Sequence, residues 1–443
     1  MKRTVFFIIS LLAAMTARSQ TITLEQCQIL ARDHYPAIAQ TELIDRLAEY
    51  SISNARRNWL PQISVSGQAT YQSEAIDLPE SWRKFIDDLP DGVTDMLEKN
   101  GLTFEGLPKD QYKAAIQIEQ VIWDGGMIKA QTEAAKAEGE ASRRSLETEL
   151  YAIAERVNQL YFGSLLLQEN LRTADLLIED LERNRRMLAA TVELGAAGRN
   201  DLDLLDVEIL GARQKRAEAA SAHKAYLKVL GLMTGLQLGE DVVLVKPEPE
   251  SVPHTDDGRA RPEMAALDAQ SNLLEAQRRA VRSSVMPQIG AFFQGAYANP
   301  GLNFLEDMVH NRWSPYFIAG VKFQWNIGGF YTKKNRLAQI DLNQRRIDSQ
   351  KETFLYNISL QSAQERAAIE KMEEIMRYDD EIIELRSSIR RRTEASVENG
   401  EGNVNDLLRD INAEDRARQN KAAHEIEWLK NIYDLKYTVN HQE

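Results

Sequence analysis

The chain repeats itself, and this repeat restricts its possible folds more than any other feature. Trp59-Leu60-Pro61-Gln62-Ile63 returns as Val285-Met286-Pro287-Gln288-Ile289 after 226 residues, and at the same offset Tyr71 meets Tyr297. Asp124-Gly125-Gly126 returns as Ile327-Gly328-Gly329 at offset 203. Val192-Glu193-Leu194-Gly195 followed by Asn200-Asp201-Leu202 returns as Val397-Glu398-Asn399-Gly400 followed by Asn405-Asp406-Leu407 at offset 205. Three landmarks in one order mark a tandem duplication of about 200 residues, so whatever one half builds, the other builds again.

Each half runs helix, strand, loop, strand, long helix, tight turn, helix. The first repeat is expected over 20–235, with strands at 62–72 and 112–122 and helices at 126–194 and 201–234. The second is expected over 261–443, with strands at 288–298 and 316–326 and helices at 329–398 and 405–438. Residues 236–260, with Pro247, Pro249 and Pro253 among acids, read as an irregular connector.

All four strands alternate. Ile63, Val65, Ala69 and Tyr71 share a face opposite Ser64, Ser66, Gln68 and Thr70, and Ala114, Ile116, Ile118 and Ile122 oppose Lys113, Gln117 and Glu119. Ile289, Ala291, Phe293 and Tyr297 share a face in the second half, as do Phe317, Ala319, Val321, Phe323 and Trp325 opposite Lys322, Gln324 and Asn326. Period-two alternation over about 10 residues suits a tilted strand crossing a bilayer, apolar toward lipid and polar toward a lumen. Four strands cannot close such a barrel, and an open edge in lipid leaves backbone groups unpaired at several kcal/mol each. Copies must therefore pool their strands.

The helices are longer than any bilayer requires. A 4-3 spacing runs from Leu146 through Leu150, Ile153, Val157, Leu160, Ser164, Leu167 and on to Leu188 and Val192, with Ser164 and Arg185 the polar interruptions. Sustained heptads mean coiled-coil packing. Met127 to Leu194 at 1.5 Å per residue makes a rod of roughly 100 Å, against an apolar bilayer thickness of about 30 Å. Such a rod projects into water. Gly195 is expected to stop it and Asn200 or Asp201 to cap the returning helix. The loops 73–111 and 299–314 fall at the opposite strand ends from the helices, which places them outside the cell.

Lys2, Arg3, the apolar run Val5–Met15 and the small Ala17 and Ser19 read as a signal peptide over 1–19, leaving Gln20 first. No later stretch is apolar enough for a membrane helix. The single cysteine, Cys27, excludes an internal disulfide and lies beyond any lipoprotein cleavage box, so it reads as a helix-face residue. A formal charge of −13, more acidic still once the signal is removed, speaks against nucleic acid as a partner. The six histidines form no HExxH pair, phosphate-loop and dinucleotide motifs are absent, and no cofactor or metal site is expected. Gly125-Gly126 and Gly328-Gly329, like Pro61 and Pro287, read as bends where strand and helix meet. The sequence therefore points away from enzymes. Asp201, Asp203 and Asp206 after the first turn, and Asp406 and Asp410 after the second, would each become a ring of acids in an oligomer, a cation-selecting arrangement. Acids in a first helical turn also serve the helix dipole.

The duplicated halves, the paired Pro-Gln-Ile strand starts, the Gly-Gly strand exits and the Gly…Asn-Asp-Leu turns together resemble the TolC family of outer-membrane channel-tunnels. Thr23-Leu24-Glu25-Gln26, with Ala31 and Pro36, resembles that family's opening helix. The resemblance implies a homotrimer with a 12-stranded barrel in the outer membrane of a Gram-negative cell, continued by a periplasmic α-helical coiled-coil barrel. It implies an efflux or type I secretion duct, fed by an inner-membrane transporter through a periplasmic adaptor that docks on the hairpin tips Gly195, Asn200, Asp201, Gly400 and Asn405. Two aspartates three residues apart line the family's closed aperture. Here the first matches Asp406 and the second position holds Arg409, so an Asp406–Arg409 ring is expected as a mixed-charge latch between neighbours, with Asp410 also at the periplasmic aperture. The competing reading is a periplasmic coiled-coil adaptor or scaffold, which typically carries one hairpin flanked by small β domains.

Overall fold

The computed structural model describes residues 21–74, 78–100, 109–193, 198–239, 242–249, 251–253, 258–303, 306–307, 312–399 and 401–440. The proposed signal peptide 1–19 and the turn glycines Gly195 and Gly400 lie outside these residues. The chain divides into two compact units, one of residues 1–44, 142–268 and 347–443, the other of 45–141 and 269–346.

The first unit is helical. It opens with β1 (Thr21–Ile22) and α1 (Leu24–His34). Thr23 caps α1 reciprocally: its Oγ1 accepts from Gln26 N at 3.3 Å, and Gln26 Oε1 accepts from Thr23 N at 3.2 Å. The helix α2 (Gln40–Arg57) begins here, after a short 3₁₀ turn. Next come most of α5 (Met127–Glu193), α6 (Arg199–Thr234), β4 (Val243–Leu244), most of α8 (Gly329–Glu398) and α9 (Val404–Val439). The heptad residues Leu146, Leu150, Ile153 and Val157 are buried with Tyr161, Phe162, Leu227, Leu230 and Leu429. Ser164 is fully buried within the seam it interrupts. Cys27 is buried among these residues, and burial pushes its thiol up to about 12. Among the described residues, no helix is long and apolar enough to cross a membrane.

The connector is less irregular than its prolines imply. Val243–Leu244 pairs in parallel with Thr21–Ile22, and the Tyr161 hydroxyl lies 2.8 and 2.7 Å from the carbonyls of Ile22 and Val245. A two-residue strand carries no periodicity, so only tertiary pairing reveals it. At its end, Arg261 is buried between the rings of Tyr151 and Tyr437, pairs with Glu263, and donates to the carbonyls of Tyr437 and Thr438.

The second unit holds a four-stranded antiparallel sheet. Its strands are β2 (Gln62–Tyr71), β3 (Asp110–Trp123), β5 (Gln288–Asn299) and β6 (Ser314–Gln324), in the order β2-β3-β5-β6. The loop between β2 and β3 contains α3 (Glu80–Asp87) and α4 (Asp91–Lys99), and α7 (Pro262–Ser283) leads into β5. Gly139 of α5 lets α2 come close, since a Cβ there would stand 2.6 Å from Ala48 Cβ.

Candidate pore wall and hairpin tips

Register turns the four separate alternations into two faces. Ile63 lies opposite Ile118, which lies opposite Phe293, which lies opposite Ala319, and the row Val65, Ile116, Gly295 and Phe317 aligns the same way. The other face aligns Ser64, Gln117, Gln294 and Ile318, and then Gln68, Lys113, Ala298 and Ser314. The apolar residues are bare in the single chain: Val65 is 77% exposed, Phe317 69% and Val321 70%. A face this apolar and this open needs an apolar solvent.

Aromatic residues bracket that face. At the loop end, Trp313 stacks on Tyr112 and Tyr297 with centroids 5.9 and 5.1 Å apart, near Tyr71. At the helix end stand Trp59, Trp123, Trp325 and Phe330, each at least 44% exposed. Trp123 reaches this belt through an irregularity. Strict alternation from Glu119 and Val121 would put it on the polar face, but the register shifts between Val121 and Trp123, so Trp123 pairs with Ile289 of the apolar face. A bulge re-aims a side chain in this way.

The strand-to-helix bends differ between repeats. Gly125 and Gly126 take φ of +66° and +86°, a left-handed conformation that glycine adopts without strain. Asp124 then caps α5, accepting from Gly126 N at 2.9 Å and Ile128 N at 2.5 Å. Gly328 and Gly329 hold no left-handed φ. There Asn326 Oδ1 accepts from Gly329 N at 3.3 Å. Sequence reasoning missed both caps, although an Asp or Asn two or three positions before the helix was the available signal. Pro61 and Pro287 each sit one residue before a strand, where the missing N–H costs nothing.

The tips also correct the expected caps. Neither Asn200 nor Asp201 caps α6: Gly198 does, and Asp201 reaches back as third residue, its Oδ2 accepting from Gly198 N at 3.3 Å. Asn403 caps α9, its side chain accepting from Asn405 N at 2.9 Å, and Asp406 follows inside the first turn. Leu188, Leu205, Val397, Val404 and Leu408 join in one core, so the two hairpins pack together behind their tips.

Of the aperture trio, two residues point outward and one does not. Arg409 Nη1 lies 3.0 Å from Asp406 Oδ1 on the same helix, and both are at least half exposed. Asp410 is buried and accepts from Thr393 Oγ1 of α8 at 2.7 Å. Asp206, read as another ring acid, pairs with the seam residue Arg185, whose guanidinium holds its carboxyl below the usual carboxylate range. Deeper in, Arg390 of α8 joins Asp180 of α5 at 2.9 Å and Glu414 of α9 at 2.8 Å, and Arg418 joins Glu414 at 2.6 Å. No group of metal-ligating side chains occurs among the described residues.

Residues 29–235, nearly the whole first repeat, match the family model described as outer membrane efflux protein. The match covers the first repeat. No protein of curated function matches its sequence. The fold is shared with solved outer-membrane channels. One is CmeC of Campylobacter jejuni, at 15% identity over 94% of this chain and 85% of that one, with a TM-score of 0.67. VceC of Vibrio cholerae aligns at 11% identity, 94% and 95% coverage, TM-score 0.67, and the open-state MtrE channel of Neisseria gonorrhoeae at 15% identity, 94% and 88% coverage, TM-score 0.67. At these identities the likeness is one of fold. The matched model describes a transport protein, which favours a channel over the adaptor reading.

Proposed function

We propose that this chain is the passive exit duct of a tripartite efflux pump or type I secretion system, working as a homotrimer. Three sheets close into a 12-stranded barrel in the outer membrane, and the hairpins form a periplasmic tunnel gated at its tips. The observation that carries this reading is the sheet: one apolar face between two aromatic belts, with β2 and β6 each pairing on a single side. Unpaired edges are not tolerated in lipid, so β2 of one copy needs β6 of the next. Exposed stripes fit the same assembly, with Tyr378, Ile382, Leu385 and Ile389 on α8 and Val207 and Leu210 on α6 bare in the single chain.

The duct supplies no energy. An inner-membrane transporter drives the solute, and a periplasmic adaptor engages the hairpin tips, which the sequence assigns to Gly195, Asn200, Asp201, Gly400 and Asn405. Outer-membrane lipid solvates the barrel, and the leader 1–19 directs export before cleavage. Heat-modifiable migration on gels, channel conductance in planar bilayers and copurification with a tagged adaptor test this together. Material that stays monomeric and soluble without detergent removes the proposal.

A further inference from the structure

The polar face of the sheet is not uniformly polar. Phe292 lies opposite Gly320, Ile318 opposite Gln294, and Tyr316 opposite Ala296, so three large side chains occupy successive rows of β5 and β6 on this face. The Phe292 ring lies against Gly320, where a Cβ would come within 3.1 Å of it. Ile318 remains 38% exposed. A lysine stands at each end of the strip. Lys113 Nζ sits over the Tyr316 ring, 6.0 Å from its centroid, and Lys322 lies beyond Gly320 toward the helix end, 3.8 Å from Glu119. Lys113, Glu119 and Lys322 are the charged side chains that the register puts on this face among the described strand residues. Glu119 offsets Lys322, which leaves the charge of Lys113 over.

We infer that this strip is a track for amphipathic anions: Phe292, Ile318 and Tyr316 contact the apolar body of a solute, while Lys113 holds its carboxylate, sulfonate or phosphate. The inference rests on the closed barrel proposed above, in which this face lines the lumen and each position occurs three times. A ring of like charge in a narrow lumen selects the opposite sign. An apolar strip beside it lowers the barrier for a solute that water alone would carry poorly.

The test uses full-length protein in planar bilayers, with 8-anilinonaphthalene-1-sulfonate as the anionic probe and N-phenyl-1-naphthylamine as its neutral counterpart. The sulfonate is expected to block potassium chloride current in the wild type, and the neutral compound to block at least about tenfold less, the equivalent of one lost charge contact. Lys113→Gln and Phe292→Ser are each expected to weaken sulfonate block about three- to tenfold, while Lys113→Arg retains it. Lys113→Glu is expected to shift the reversal potential in a salt gradient toward cations. Equal block of wild type, Lys113→Gln and Phe292→Ser, or equal block by both probes, overturns the track while leaving the duct intact. If no channel forms at all, the duct fails and the track fails with it.

Discussion

Arg390 of α8 and Asp180 of α5 are 210 residues apart in the chain, yet their side chains meet at 2.9 Å. Arg390 also reaches Glu414, whose side chain is 5% exposed, so one guanidinium ties the first repeat's long helix to the second hairpin behind the tips. Arg390→Met is expected to raise single-channel conductance by loosening that tie. It should also cost about 2–3 kcal/mol in denaturant unfolding, less than full rupture of a buried pair because Arg418 still holds Glu414. Unchanged conductance with normal assembly would place the gate elsewhere.

At the tip itself, Asp406 and Arg409 neutralise each other within one helix turn rather than standing as free charges. Replacing both with alanine is expected to increase conductance in planar bilayers, with little effect on stability because the pair is exposed. If conductance does not change, these residues do not line the aperture.

Asp415 gives a pH signature. Burial raises its carboxyl to about 6, against the pull of Lys215 and Arg418 and with Glu414 adding to the rise. A raised folded pKa favours the protonated form, so this residue's contribution to stability is fully present below about 4 and is lost as pH rises through about 6. Between pH 4 and 7, the melting temperature of the wild type should therefore fall relative to that of Asp415→Asn as pH increases. Parallel melting curves across that window would show that Asp415 titrates normally.

The sheet faces differ in what they tolerate. Val65→Lys or Ile116→Arg, on the apolar face, is expected to destabilise the assembled barrel by about 2–4 kcal/mol near the midplane and to reduce the heat-modifiable band. Ser66→Lys, on the opposite face, should assemble normally. The reverse pattern would mean the faces are assigned the wrong way round.

Gly125 cannot accept a side chain. A Cβ there would stand 2.2 Å from Met286 Cβ, and the φ of +66° is itself costly for alanine. Gly125→Ala should sharply lower the yield of assembled protein, whereas Gly328→Ala, at a bend without a left-handed residue, should be tolerated.

Most of this architecture was legible because duplication repeats each signal. The strands alternate, the helices keep their heptads, and the two Pro-Gln-Ile segments mark strand starts in both halves. What escaped depends on contacts remote in sequence. Val243–Leu244 is too short for a period and forms only against Thr21–Ile22. The turn caps were displaced to Gly198 and Asn403 because the chemistry of a cap depends on where the backbone leaves the helix, which composition locates only to within a turn. Trp123 was assigned no face, since a single-residue bulge reverses parity without altering the pattern around it. Asp410 lies inside because Thr393 is there to bond it, a pairing no local spacing reveals.

The two outermost strands of the sheet come from different repeats and run in opposite directions. A joint between two such unlike borders is head-to-tail, so each copy that docks presents a fresh border for another. Self-matching borders would stop growth at a pair. Unlike ones let a ring close on an odd number of members, with curvature alone deciding when the last border finds the first.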